Sequence, residues 1–149
     1  MKNALTPNER VLRAVMIARV REKEPEITLT YSELGDRATE YGWTGVYPML
    51  EPPFRGLGEA LGNISRYEFS LGRPLLSAII VKQESRRPGV GFFTMLAQPL
   101  GHDVSDQESY WQSEIEALVD FWRDDDPTRI TDAAFGRILE QLRRIRRDL

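Results

Sequence analysis

No cysteine occurs in this chain, and histidine occurs once, as His102. Without a thiol there is no cysteine nucleophile, no disulfide framework and no Cys-based zinc site. That composition is compatible with a reducing compartment. No apolar run approaches the roughly 18 residues of a membrane span. The opening residues, MKNALTPNERVLR, lack the apolar core of a signal peptide, so a cytoplasmic protein is expected. An excess of basic charge is also missing. The 20 Lys and Arg face 23 Asp and Glu, a net charge of -3, whereas a strong nucleic-acid binder is usually basic overall.

Catalytic signatures are scarce as well. The chain has no Walker loop, no Gly-x-Gly-x-x-Gly and no nucleophile elbow. Ile80-Val81-Lys82 has the lysine of a nuclease strand but lacks the acid two residues before it. Ser77 and Ser85 have no histidine partner nearby in sequence. His102 stands in Gly101-His102-Asp103, close to Asp106 and Glu108. One histidine among carboxylates suits a metal site or a base and its orienting acid. It equally suits a loop beside a helix start, where acids favour the helix dipole. Asp124-Asp125-Asp126 has the oxygen ligands of a hard cation but reads as a solvated loop. The expectation is no catalysis, no metal and no cofactor.

The 149 residues fit one domain. A chain near that length buries about 70% of its unfolded surface and folds without staples. Thr6-Pro7-Asn8-Glu9 reads as a capping box with proline at the first helical position. Val11, Leu12, Val15, Met16 and Val20 then line one side of a helix that ends near Glu22, with Arg10, Arg13 and Arg21 mostly elsewhere. Residues 26–29 alternate as a short strand. Thr30-Tyr31-Ser32-Glu33 is a second capping box, for a helix ending near Tyr41-Gly42. GWTGVYPMLEPP, residues 42–53, is a connecting loop. A third helix opens at Pro53 and runs to about Ser70, with Phe54, Leu57, Leu61, Ile64, Tyr67 and Leu71 as its buried stripe. Gly56, Gly58 and Gly62 weaken it by about 1 kcal/mol each relative to alanine; glycines kept at that cost often let another backbone come close. Residues 75–82 form a buried strand, 83–89 its turn and 90–94 the return strand. Ser105-Asp106-Gln107-Glu108 is a third capping box, for a helix with Trp111, Ile115, Leu118 and Trp122 on one face. A last helix covers about 132–147, with Phe135, Ile138, Leu139, Leu142 and Ile145 inside.

The fold class expected is therefore α+β, mainly helical. Residues 6–95 read helix, strand, helix, helix, strand, strand, the order of a winged-helix core. Residues 104–149 add two C-terminal helices packed on it. In winged helices and helix-turn-helix proteins one helix enters the major groove. Here the third helix offers Arg55, Glu59, Asn63 and Arg66, of which arginine and asparagine pair bidentately with base edges. The hairpin 73–87 carries Arg73, Lys82, Arg86 and Arg87 against Glu84, with Arg86 and Arg87 at the tip. Such side chains contact phosphates and make binding salt-dependent. Arg-Arg-Pro-Gly equally supplies plain turn geometry.

TYSELG, RGLGEALGNI and the strand and turn after Pro74 resemble the DNA-binding domain of alkylguanine alkyltransferases and their alkyltransferase-like relatives, over about 65 residues. In that family the second helix opens with a similar motif, and an arginine on the recognition helix helps to flip a base. Arg55 and Gly58 of RGLG would occupy that place. The family's Pro-Cys-His-Arg centre is replaced by Pro74-Leu75-Leu76-Ser77. The resemblance thus implies double-stranded DNA binding at most and excludes alkyl transfer. PLLSAIIVKQESRRPGVGF is also similar to a pattern in small bacterial and phage proteins to which no function attaches.

The C-terminal third offers an alternative. Residues 105–126 carry Asp106, Glu108, Glu114, Glu116, Asp120, Asp124, Asp125 and Asp126 against Arg123, a net of -7. Residues 137–149 carry Arg137, Arg143, Arg144, Arg146 and Arg147 against Glu140 and Asp148, a net of +3. Two antiparallel helices of complementary charge account for this, and such a pair also suits a homodimer arm. The acidic helix 105–126 would alternatively be the contact face of a protein-interaction or adaptor module. One feature separates the readings. Arginines gathered in one patch favour DNA; acids interleaved among them favour a protein partner.

Overall fold

The computed structural model describes residues 5–22, 26–40 and 56–123. Helix α1, Pro7–Arg21, opens on a full capping box. The Glu9 amide donates to Thr6 Oγ1 (3.1 Å) and the Thr6 amide donates to Glu9 Oε1 (2.9 Å). Pro7 takes the first turn, where its missing N–H leaves nothing unsatisfied. Strand β1, Leu29–Thr30, leads directly into α2, Tyr31–Glu40. Thr30 caps α2 in the same reciprocal way with Glu33, at 3.0 and 3.1 Å. Helix α3 covers Leu57–Ser70. A 3-10 turn, Leu76–Ile79, precedes strand β2, Ile80–Val81; a π-helical turn, Phe92–Ala97, precedes α4, Gln107–Trp122.

The two strands pair in parallel, Leu29 with Ile80 and Thr30 with Val81. Parallel neighbours need a long crossover, and α2 and α3 lie within it. Helix α1 is the centre of the molecule, packed on α2, α3, α4 and the 3-10 turn. Its Leu12, Val15, Met16, Ile17 and Val20 share one core with Leu34, Ile64, Ile79, Leu118 and Trp122. Each such aliphatic side chain gains about 1.5–3 kcal/mol on leaving water. Among the described residues no helix is long and apolar enough to cross a membrane.

The mainly helical α+β class agrees with this architecture, and several local expectations are corrected. The expected strand 75–82 shrinks to Ile80–Val81. Leu76, Ser77, Ala78 and Ile79 are all buried, facing α1, α3 and α4 together, and a strand would turn alternate side chains away. Hydrogen bonds lock the turn: the Ser77 amide donates to Ser65 Oγ (3.0 Å) and Trp111 Nε1 to the Ala78 carbonyl (2.9 Å). The expected return strand 90–94 is helical, so β2 has no hairpin partner among the described residues. Phe93, Leu96 and Ala97 are buried at helical spacing, and Phe92 and Phe93 pack on Tyr110 of α4. Tertiary packing has overridden the β preference of the aromatic pair. The cap of α4 is Asp106, which accepts from the Ser109 amide, and not Ser105. Leu71, expected inside, is half exposed. Arg13, expected mostly outside, is buried. Gly56 lies just before α3, in a left-handed conformation (φ 80°) that favours glycine. The loop 42–53, Phe54, and the last helix with its antiparallel pairing and homodimer arm lie outside the described residues.

Candidate functional site

Of the seven residues expected to touch DNA, Arg55 lies outside the described residues. Asn63 and Arg66 are neighbours on α3. The Asn63 amide donates to Glu9 Oε2 of α1 (2.9 Å), and Arg66 Nη2 donates to Asn63 Oδ1 (2.9 Å). Arg66 therefore reaches solvent, while Asn63 is spent on holding α3 to α1.

Arg73 is a correction: it is buried, and it belongs to the core. Helix α3 ends in a Schellman motif in which the Gly72 amide donates to the Phe69 carbonyl and the Arg73 amide to the Glu68 carbonyl, each at 3.0 Å. Gly72 adopts φ 75°, which a side chain would resist. This turn returns Arg73 toward Glu68, whose carboxylate it meets at 3.3 Å. Arg13 Nε donates to the other oxygen of Glu68. Trp122 lies under both guanidinium groups, at 5.9 Å from Arg13 and 5.5 Å from Arg73. All four side chains are buried.

At the expected tip, each arginine has a carboxylate. Arg86 Nη1 meets Glu33 and Arg86 Nη2 meets Glu26, both at 3.2 Å. Arg87 Nη1 pairs with Glu108 of α4. The pKa of Glu33 is held below its ordinary value because the Thr30 amide donates to it, with Arg86 helping. Glu26 is lowered first by the Thr28 hydroxyl and then by Arg86. Lys82 is exposed and pairs with no carboxylate among the described residues. Among the described residues, acids interleave with Arg86 and Arg87 here.

A concave feature lies beside α3: a groove of about 500 Å³. Gly58, Glu59, Leu61, Gly62 and Arg66 form the α3 side. Ser77 and Ile80 contribute the floor, Tyr31 of α2 a wall, and Gly89, Gly91, Phe92, Met95 and Leu96 the opposite side. Burial pushes the Tyr31 phenol up in pKa, so it stays protonated. Lys82 lies close by, its Cε 3.4 Å from where a Cβ on Gly89 would stand. Met95 is 76% exposed and Val90 64%, so apolar surface continues over the rim. Sequence reasoning missed Phe92, Met95 and Leu96 as groove residues because it placed the first in a strand and gave the others no element. The glycine pair Gly58 and Gly62 was the signal that pointed here.

Among the described residues His102 meets no carboxylate. Its Nδ1 lies 2.6 Å from Tyr110 Oη, and its ring packs on Phe69. Burial, then the nearby Glu114 charge, drives the Tyr110 pKa far up. Asp103 and Asp106 spend their oxygens on the backbone amides of Ser105 and Ser109. Among the described residues no three His, Cys, Asp or Glu side chains gather to hold a metal ion. The run 124–126 lies outside them. The acidic helix is thinner than its sequence: Glu114 is turned inward to accept from the Leu75 amide (2.7 Å), and Glu108 is paired. No family model, curated protein or solved structure matches the chain.

Proposed function

We propose that this chain is a non-enzymatic binding module that takes a partner protein in the groove beside α3. The observation that carries the reading is an apolar groove that continues past its rim onto exposed Val90 and Met95. Contiguous exposed apolar surface of this kind marks interaction sites. The interleaved pairs Arg86–Glu26, Arg86–Glu33 and Arg87–Glu108 support it from the other side, since they neutralise the residues that would hold phosphates.

Duplex DNA is the second reading, favoured by Arg66 and Lys82, which stand at or beside the groove with no carboxylate partner among the described residues. On that reading the helix, strand, helix, helix order is a winged-helix core and α3 is the recognition helix. One pair of measurements separates the two. Fluorescence anisotropy with labelled duplex DNA across a salt series, beside Arg86→Ala/Arg87→Ala, is expected to show no binding at any salt. A random-peptide display selection on the immobilised chain is expected to yield peptides that Met95→Asp no longer captures. Salt-steep DNA binding that weakens in the double variant would reverse the order of the readings.

A further inference from the structure

The groove's occupant is constrained by two features that the fold itself does not require. The first is the pair of glycines inside α3. Gly58 and Gly62 have ordinary helical backbone, so no unusual dihedral demands glycine there. Helical glycine costs about 1 kcal/mol relative to alanine. A Cβ on Gly58 would meet nothing within 4 Å. The atoms nearest a Cβ on Gly62 would be the guanidinium of Arg66, the closest at 3.0 Å. Packing within the described residues therefore does not explain Gly58, whereas Gly62 leaves room for the Arg66 guanidinium over α3. Both face the groove, where a missing side chain lets a visiting backbone approach α3.

The second is charge. Arg66 is at the groove and, among the described residues, bonds only to the neutral amide of Asn63. Lys82 lies against Gly89. Glu59 is the single acid among the described residues lining the groove. It stands seven residues before Arg66, on the order of 10 Å along the helix. The rim is thus cationic at the Arg66 end of α3 and anionic at the other.

Resting on the reading above, we infer that the occupant is an extended or helical segment of a partner protein bearing apolar side chains and an acidic residue. The apolar side chains sit on Leu61, Ile80, Phe92 and Met95, and the carboxylate meets Arg66. A chain segment fits better than a small molecule because the apolar surface runs past the cavity to Val90. The polarity from Glu59 to Arg66 sets the direction in which the segment lies.

The test uses the full chain and the peptides recovered from the random display library, sequenced and labelled for anisotropy. Recovered peptides are expected to combine aliphatic or aromatic residues with Asp or Glu. Arg66→Glu should weaken them about tenfold or more, and a Glu→Lys change in the peptide should restore part of the loss. Gly58→Ala, whose added Cβ meets nothing within 4 Å, should resist urea better than the parent yet bind about tenfold more weakly; loss of binding in a more stable protein is not misfolding. Groove-dependent peptides without acids, indifferent to Arg66→Glu, would overturn the charge assignment and leave the protein-binding reading standing. Peptides indifferent to both the glycine variant and Met95→Asp would overturn the groove. Recovery of no peptide at all would overturn both.

Discussion

Two of the arginine–glutamate clusters among the described residues differ sharply in depth. In the Arg13–Glu68–Arg73 cluster the Glu68 side chain is 0% exposed and that of Arg73 7%. In the Arg86–Glu26 pair the Glu26 side chain is 60% exposed and that of Arg86 43%. The same side-chain chemistry therefore does two jobs. Inside, water cannot replace a lost partner, so the carboxylate that joins α1 to the end of α3 is indispensable. Outside, water screens the pairs, and their main effect is to occupy arginines that would otherwise attract anions.

The largest expected effect comes from breaking the deep cluster. Glu68→Gln should lower stability by about 3–5 kcal/mol, read from urea unfolding, because two guanidinium groups stay buried without their carboxylate. Replacing the whole cluster, as Arg13→Met/Glu68→Leu/Arg73→Met, should be less harmful than that single change although it removes more contacts. An equal or greater loss in the triple variant would mean that geometry, and not charge burial, governs the site.

A smaller effect is expected from acid. Glu33 has its folded pKa below the ordinary 4.5. Its stabilisation is therefore complete above 4.5 and is lost as pH falls through the lowered folded value. Glu33→Gln should lower the melting temperature modestly at neutral pH and flatten its decline in that acid range, so that parent and variant converge in acid. A parent and variant with parallel acid profiles would contradict the assignment.

The smallest effect is expected at Arg86. Arg86→Ala should leave the urea midpoint within measurement error, as exposed pairs usually do. Arg86→Gly sharpens the point. It removes the same ion pairs but suits the left-handed backbone at this residue, φ 56°. It should unfold at a urea concentration no lower than Arg86→Ala. A midpoint that drops in both would mean that the pairs hold the turn.

The sequence was most legible where the deciding contacts are three residues apart. Thr6 with Glu9 and Thr30 with Glu33 are capping boxes in the chain and in the fold. One residue of slippage at α4 arose because Ser105 and Asp106 are both good caps. The stretch 90–94 was misread as a strand because Phe92 and Phe93 favour strands, although Leu96 and Ala97 continue a helical spacing that a longer window would have caught. Arg73 was illegible as a core residue. Its fate depends on the Gly72 turn, on Glu68 and on Trp122, which is far away in the chain. The groove was half legible: of the three glycines expected to admit another backbone, Gly58 and Gly62 line the groove, with no described backbone close to either, and the opposite wall comes from the misread helical turn.

Thr30 belongs to two elements at once. It is the last residue of β1, opposite Val81, and the cap of α2 through its own hydroxyl. A slip of one residue in the strand pairing would strip the helix of its cap, so the sheet, although only two residues long, works as a latch. Amide hydrogens in β1 and in the first turn of α2 should then exchange with deuterium at one shared opening rate. A threonine, with its branched Cβ suited to strands and its oxygen suited to caps, lets a single residue fasten both.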